Sequence, residues 1–149
     1  MGAGASATQL IFFITSVVIA LGVVGGMFMN IQSISSAVTL GSRTFSEQLK
    51  TDITVINDPE MIPYSYNNYT FYVKNTGKED LYPGYITVLI DGAIVSESNI
   101  NKTVIGGGSM WRTGDVLSIN ATVTPLTSGS HSLRVITENG IEDYFDFRT

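Results

Sequence analysis

Few residues in this chain are of types that do covalent or proton-transfer chemistry, and their spacing keeps them apart. His131 is the only histidine among 149 residues. It opens a run of alternating apolar residues, so it reads as a surface or strand-edge side chain rather than a ligand or a general base. Glu79 with Asp80, and Glu142 with Asp143, are adjacent carboxylates, and neighbours on a strand point to opposite faces. Neither pair can converge on one bond as acid–base catalysis requires, and both read as solvated charge. Gly106, Gly107 and Gly108 have the composition of a phosphate cradle, but no lysine or helix start follows them, which leaves a flexible loop. Cysteine is absent, and disulfides, thiol nucleophiles and zinc–thiolate sites go with it. The formal net charge is −5, and the first charged residue is Arg43, so no basic patch offers itself to nucleic acid. No catalytic, cofactor-binding or metal-binding residues are expected, and the chain reads as a non-enzyme.

Recognition is better represented. Trp111 is the single tryptophan and lies between Met110 and Arg112 after the glycine run. Exposed Trp and Arg on a loop anchor interfaces, and a lone tryptophan can equally plug one end of a sandwich core; both readings stand. Tyr64 and Tyr66 form a second candidate partner surface beside Asn67 and Asn68, because aromatic side chains with polar tips suit a protein or membrane face. Asn68-Tyr69-Thr70, Asn101-Lys102-Thr103 and Asn120-Ala121-Thr122 are glycosylation acceptor motifs, which makes Asn68, Asn101 and Asn120 candidates and leans toward an extracytoplasmic domain.

The elements that must carry these residues begin with residues 10–29, which hold no charge and nothing more polar than Thr15 and Ser16. Leu10, Ile11, Phe12, Phe13, Ile14, Val17, Val18, Ile19, Leu21, Val23, Val24, Met27 and Phe28 supply an apolar surface on every side. At about 1.5 Å per residue, roughly 20 residues cross the ~30 Å hydrocarbon core of a bilayer. A helix is the one form in which a single segment satisfies its own backbone there, with Gly22, Gly25 and Gly26 as small packing positions. No basic residue precedes the run and it is too long for a secretory leader, which favours retention over cleavage. Charge does not set the orientation, since Arg43 lies well past the span.

Beyond Met29, Ile31, Ile34, Val38, Phe45 and Leu49 recur at helical steps between Ser, Thr, Gln and Glu, the pattern of an amphipathic stalk continuing the same helix. Gly41 and Ser42 are candidates for a bend. The stripe packs either on the chain's own domain or on copies and partner helices. From Thr51 the apolar period falls to two, predicting strands over 52–57, 69–75, 85–91, 93–97, 101–105, 116–123 and 130–137, with 141–147 as an eighth. Asp91-Gly92 and Asn139-Gly140 have the chemistry of tight hairpins. The expected fold is mainly β with a long N-terminal helix. Residues 1–50 form a single transmembrane helix and stalk, and residues 51–149 an immunoglobulin-like β-sandwich without its cysteine pair.

That order of anchor, stalk and cysteine-free sandwich resembles the archaeal flagellin-like, type IV pilin-like group, and within it the FlaG family of archaellum accessory, or stator, proteins. The likeness is carried by TDITVINDPEMIP (residues 51–63), FYVKNTGKEDLYP (71–83) and LIDG (89–92), and covers essentially the whole chain. The resemblance implies a cytoplasmic N-terminus and a sandwich in the pseudoperiplasm, between the membrane lipid and the S-layer. It also implies partnership with the related protein FlaF, which holds the complex to the S-layer, and self-association into short filaments. The alternative is a filament subunit, archaellin-like or pilin-like, whose helix builds the filament core. A processed subunit carries a basic leader and an early glutamate, whereas nothing basic precedes this helix and Ala5 stands where that glutamate is sought; the expectation is an uncleaved accessory protein.

Overall fold

The computed structural model describes residues 2–149. The chain divides into two compact units, Met1–Arg43 and Thr44–Thr149. A single helix, α1 (Gly2–Lys50), makes up the described part of the first unit and reaches into the second. No proline interrupts it, and it passes Gly41 and Ser42 without a break in helical structure. Its hydroxyls are turned inward on its own backbone: Thr15 donates to the Ile11 carbonyl at 2.8 Å and Ser16 to that of Phe12 at 2.6 Å. The two polar side chains of the apolar run are thereby satisfied without water, as a bilayer demands. The helix is long and apolar enough to cross a membrane.

The second unit folds as nine short strands: β1 (Ile53–Val55), β2 (Tyr64–Ser65), β3 (Asn68–Asn75), β4 (Thr87–Ile90), β5 (Ala93–Ile94), β6 (Ile100–Val104), β7 (Val116–Thr122), β8 (Ser130–Ile136) and β9 (Glu142–Arg148). One sheet has the order β1-β3-β7-β6 with β2 as a hairpin on β3, and the other has β5-β4-β8-β9. All pairings are antiparallel. Taking β1 and β3–β9 as A to G with an added C′, the sheets read A-B-E-D and C′-C-F-G, the immunoglobulin arrangement.

The two-residue period sets the core. Tyr69, Phe71 and Val73 on β3, Leu117, Ile119 and Ala121 on β7, and Leu133 and Val135 on β8 all point between the sheets and are buried in one cluster. Phe71 meets Phe147 across that interior edge to face, with ring centroids 5.3 Å apart. Each large apolar side chain so buried stabilises the fold by roughly 1.5–3 kcal/mol. The cluster draws no side chain from α1.

Differences from the sequence-based strands lie at their ends. Tyr85 belongs to a short 3-10 turn, Pro83–Tyr85, and Glu97 to another, Glu97–Asn99; proline at the start of the first fixes φ and favours the turn over a strand. Asp52, Ile56 and Asn57 fall outside β1, and β2 was not foreseen. Its hairpin turns on Tyr66 and Asn67, at φ 48° and 62°, a two-residue turn of the type that Asn favours. The expected Asp91-Gly92 hairpin is present, with φ 51° and 78° between Ile90 and Ala93.

Because the core is complete without α1, a fragment of residues 51–149 is expected to be soluble, β-rich by circular dichroism and cooperative on melting. A helical or insoluble product contradicts the sandwich.

Candidate functional site

The first site is the joint where the helix ends on the sandwich, built wholly within the second unit. The segment Asn75-Thr76-Gly77 closes against residues 50–52. The N–H groups of Thr76 and Gly77 both donate to the Asp52 carbonyl, at 3.0 and 2.9 Å, and Lys78 N–H donates to that of Lys50 at 2.7 Å. Lys50 closes the helix, so this last bond satisfies one of the terminal carbonyls that a helix leaves free. Thr76 Oγ1 donates to the Asp52 carboxylate at 2.6 Å. From the other sheet, Gln48 Nε2 donates to the Asn139 carbonyl at 2.9 Å, and Asn139 Nδ2 donates to Thr51 Oγ1. The helix end is held from both sheets, with a Lys50–Glu79 ion pair at 3.4 Å on the outside. Backbone approach leaves no room at Gly77, where an added Cβ would lie 2.5 Å from both the Asp52 nitrogen and the Lys50 oxygen.

Behind the joint stands Trp111. It is 0% exposed, so of its two sequence readings the core plug is the one realised, and it presents no surface to a partner. Its indole N–H donates to the Asp115 carbonyl at 2.9 Å, and its backbone bridges Leu81 in both directions. Buried Asn75 ties these parts together: Nδ2 donates to the carbonyls of Glu79 and Trp111 at 2.9 and 3.0 Å, and Oδ1 accepts from Gly77 N–H at 3.1 Å. Met110 is half-buried and Arg112 exposed. Sequence reasoning missed Asn75, although an asparagine at the end of an alternating strand, before Thr-Gly, is the available signal.

His131 and Asp143 are also more engaged than expected. His131 is the second residue of β8, an interior strand of its sheet, and its side chain is 9% exposed. Nδ1 lies 2.7 Å from the Asp91 carboxylate and Nε2 2.7 Å from the Thr127 carbonyl. Both partners only accept, so both ring nitrogens can donate only in the imidazolium form. The Thr127 carbonyl first and the Asp91 carboxylate second hold the imidazole pKa above its ordinary 6.5, against the pull of burial. Burial raises Asp91, but hydrogen bonds from Ser132 N–H and from His131 outweigh it and leave that carboxyl below its ordinary 3.8. Asp143, expected as solvated charge, accepts the Val55 N–H at 2.7 Å and so links β9 to β1 in the other sheet. Among the described residues there is no group of three or more His, Cys, Asp or Glu side chains arranged to hold a metal ion.

The end of the sandwich opposite the joint carries the second site. There the β2–β3 hairpin exposes Tyr66 at 97%, with Tyr64 less exposed, and the loop before it exposes Met61 at 74%. Tyr64 lies against buried Tyr69, ring centroids 4.5 Å apart, and Tyr69 accepts the Leu126 N–H at 3.0 Å through its hydroxyl. A non-glycine residue at positive φ that projects an aromatic ring into solvent is a costly arrangement for packing alone. Beside it, the outer face of the first sheet forms a groove of about 330 Å³ lined by Asn, Ser and Thr side chains, with Ile100 as its one apolar member. The groove brings together Asn68, Asn101 and Asn120.

The chain is similar to known proteins over most of its length. The model of the family described as archaeal-type flagellin matches residues 2–147. A Methanocaldococcus jannaschii protein described as flagella-related protein G is 30% identical over 143 residues, 93% of this chain and 92% of that protein. A protein of the same description from Methanococcus voltae is 32% identical over 142 residues, 93% of each. Among solved structures, the archaellum periplasmic stator protein FlaG from Sulfolobus acidocaldarius overlaps 65% of this chain and 99% of its own, at 21% identity and a TM-score of 0.49. The complex of FlaF and FlaG from the same organism gives 23% identity, 62% and 90% coverage and a TM-score of 0.44.

In a fragment of residues 44–149, Gly77→Ala must push the two strand ends apart. The expected cost is about 3 kcal/mol, read as a fall in Tm of roughly 12–24 °C for a domain of this size; an unchanged Tm removes the tight approach as a determinant of the joint. The His131–Asp91 pair sets a pH window. A raised histidine pKa contributes stability that is fully present below 6.5 and lost as pH climbs through the raised value, and the lowered Asp91 contribution is lost as pH falls below 3.8. Tm should therefore decline above pH 6.5, and His131→Gln should flatten that decline in thermal scans across pH 5–9.

Proposed function

The chain belongs to the archaeal-type flagellin family, and from that membership we propose that it is a structural, non-enzymatic part of the archaeal motility machinery. Its place is in the archaellum stator, with its helix anchored in the cell membrane and its sandwich outside, binding a partner of the envelope. The flagella-related protein G chains that it matches over nearly their full length support the accessory role.

One observation carries the membrane and stalk parts of this proposal. Residues 1–42 contain no charged side chain, and helix over 2–42 at 1.5 Å per residue is about 60 Å long, twice the hydrocarbon thickness of a bilayer. Lipid can cover the first half. The second half presents Ile31, Ile34 and Val38, all exposed, and Phe45 and Leu49 continue the stripe into the second unit, exposed as well. An apolar stripe of this length is unfavourable in water and calls for a helical cover. The proposed cover is other copies of this chain or helices of the motor, a self-associated bundle that the family resemblance also implies.

At the other end, Tyr64 and Tyr66 are the proposed partner surface, and the partner that the resemblance implies is a FlaF-like protein that reaches the S-layer. An element that resists torque needs contacts at both ends, and the bonded joint between helix and sandwich suits force transfer between them.

In gently sheared source cells the chain is expected in the membrane fraction, as multimers captured by crosslinking. Val38→Asp should reduce those multimers to monomers while leaving the melting of the sandwich unchanged. Recovery in the sheared filaments would instead make the chain a filament subunit, and unchanged crosslinking of Val38→Asp would remove the bundle.

A further inference from the structure

The three acceptor motifs, far apart in sequence, meet on one outer face of the sandwich and differ in how they present their groups. Asn101 on β6 is paired with Asn120 on β7, and Asn68 on β3 with Thr122 on β7. Thr70 Oγ1 donates to Asn120 Oδ1 at 2.8 Å, and Thr122 Oγ1 donates to Asn68 Oδ1. Each of these two motifs has thus given its own threonine hydroxyl to the asparagine of the other. β7 is flanked on both sides, by β3 and β6, so Asn120 lies in mid-sheet. Asn68 and Asn120 are both half-buried.

Asn101 is different on every count. It is exposed, as is Thr103, and both stand on β6, an edge strand of its sheet. The Thr103 hydroxyl lies 3.4 Å from the Asn101 Oδ1, so the amide and the hydroxyl of one motif are presented together, as two residues on one strand face should be. N-linked glycosylation needs that presentation. The Asn Nδ2 attacks the anomeric carbon of a sugar carried on a lipid phosphate. The N–C bond forms, the bond from carbon to phosphate oxygen breaks, the lipid phosphate leaves with the electron pair, and the amide gives one proton to a base of the transferase.

We propose that Asn101 is the N-glycan acceptor of this chain and that Asn68 and Asn120 are left unmodified; this rests on the reading that the sandwich is extracytoplasmic. A glycan at Asn101 shields the free edge of β6, where an unpaired strand otherwise invites edge-to-edge association.

The test is glycopeptide mass spectrometry on the full chain isolated from membranes of its source cells. A glycan mass is expected on the peptide that contains Asn101, lost in Asn101→Gln and in Thr103→Val, and kept in Asn68→Gln and Asn120→Gln. A reporter separates the proposal from the topology beneath it. Gly107→Asn places an acceptor motif with Gly108 and Ser109 in an exposed loop at φ +87°, a left-handed conformation that asparagine tolerates. A glycan on the reporter with bare Asn101, or a glycan at Asn68 or Asn120, overturns the assignment while the extracytoplasmic reading stands. With reporter and Asn101 both bare, the topology fails and the proposal fails with it.

Discussion

The joint at the base of the sandwich is arranged around the contact of Gly77 with the backbone of residues 50–52. A helix end has free carbonyls that must find donors: here Thr51, just past the helix, serves Glu47 and Gln48, and the Lys50 carbonyl takes the Lys78 N–H from the segment that follows β3. The approach is closer than any side chain permits, so position 77 is restricted by space and not by φ. Once that contact is made, Asn75 must be buried with three backbone partners, Trp111 must fill the space behind it, and Leu81 and Trp111 must bridge. A buried asparagine is expensive unless it is satisfied, and these bonds satisfy it. The polar cluster is thereby tied to one geometry, since a slip of the helix end would strand several buried groups at once.

Charge is used sparingly and at the seams. Asp143 joins β9 to β1, and Asp91 with His131 fastens the β4–β5 turn to β8 and to the loop at Thr127. Lys102 does the same on the β6 edge, its ammonium bonded to the Ile86 carbonyl at 2.8 Å and to Glu97 at 2.7 Å. Without cysteine, cross-links between sheets have to be hydrogen bonds and packing, and Asp143 and Lys102 supply two such bonds between the layers. Between the seams, the outer face of the first sheet is left to Asn, Thr and Ser, which bond to one another across strands.

Much of the fold is legible because its signal is local. The alternation of Tyr69, Phe71 and Val73 fixes which face of β3 is buried, and Asp91-Gly92 fixes a hairpin by backbone conformation alone. What was not legible is set by distant partners. β2 is two residues long and exists because β3 lies beside it, so no period can reveal it. The inward turn of Trp111 depends on Leu81 and Asn75, which lie thirty or more positions away in the chain and whose proximity the sheet topology decides. Asp143 and His131 look like surface charge for the same reason, since their acceptors and donors arrive from other strands. The three acceptor motifs were readable one by one; that they share a face is a property of register, visible once β3, β7 and β6 are aligned.

The helix poses the opposite case, in which sequence is informative and the isolated chain is not. Every described side chain from Gly2 to Thr44 is exposed in the single chain, yet a helix apolar on all sides is stable only where something apolar surrounds it. On the proposed reading two media share that task. Lipid covers residues 10–29, where no face is distinguished from another and glycines leave room for close neighbours. Protein covers the stripe that follows, where Ser, Thr and Gln separate the apolar positions and only one face needs hiding. The change from an all-round apolar surface to a single stripe near Met29 then marks the membrane boundary by chemistry alone. It falls about 30 Å along the helix from Leu10, and it puts the first charges, Arg43 and Glu47, beside the joint, where the sandwich begins and water is again the solvent.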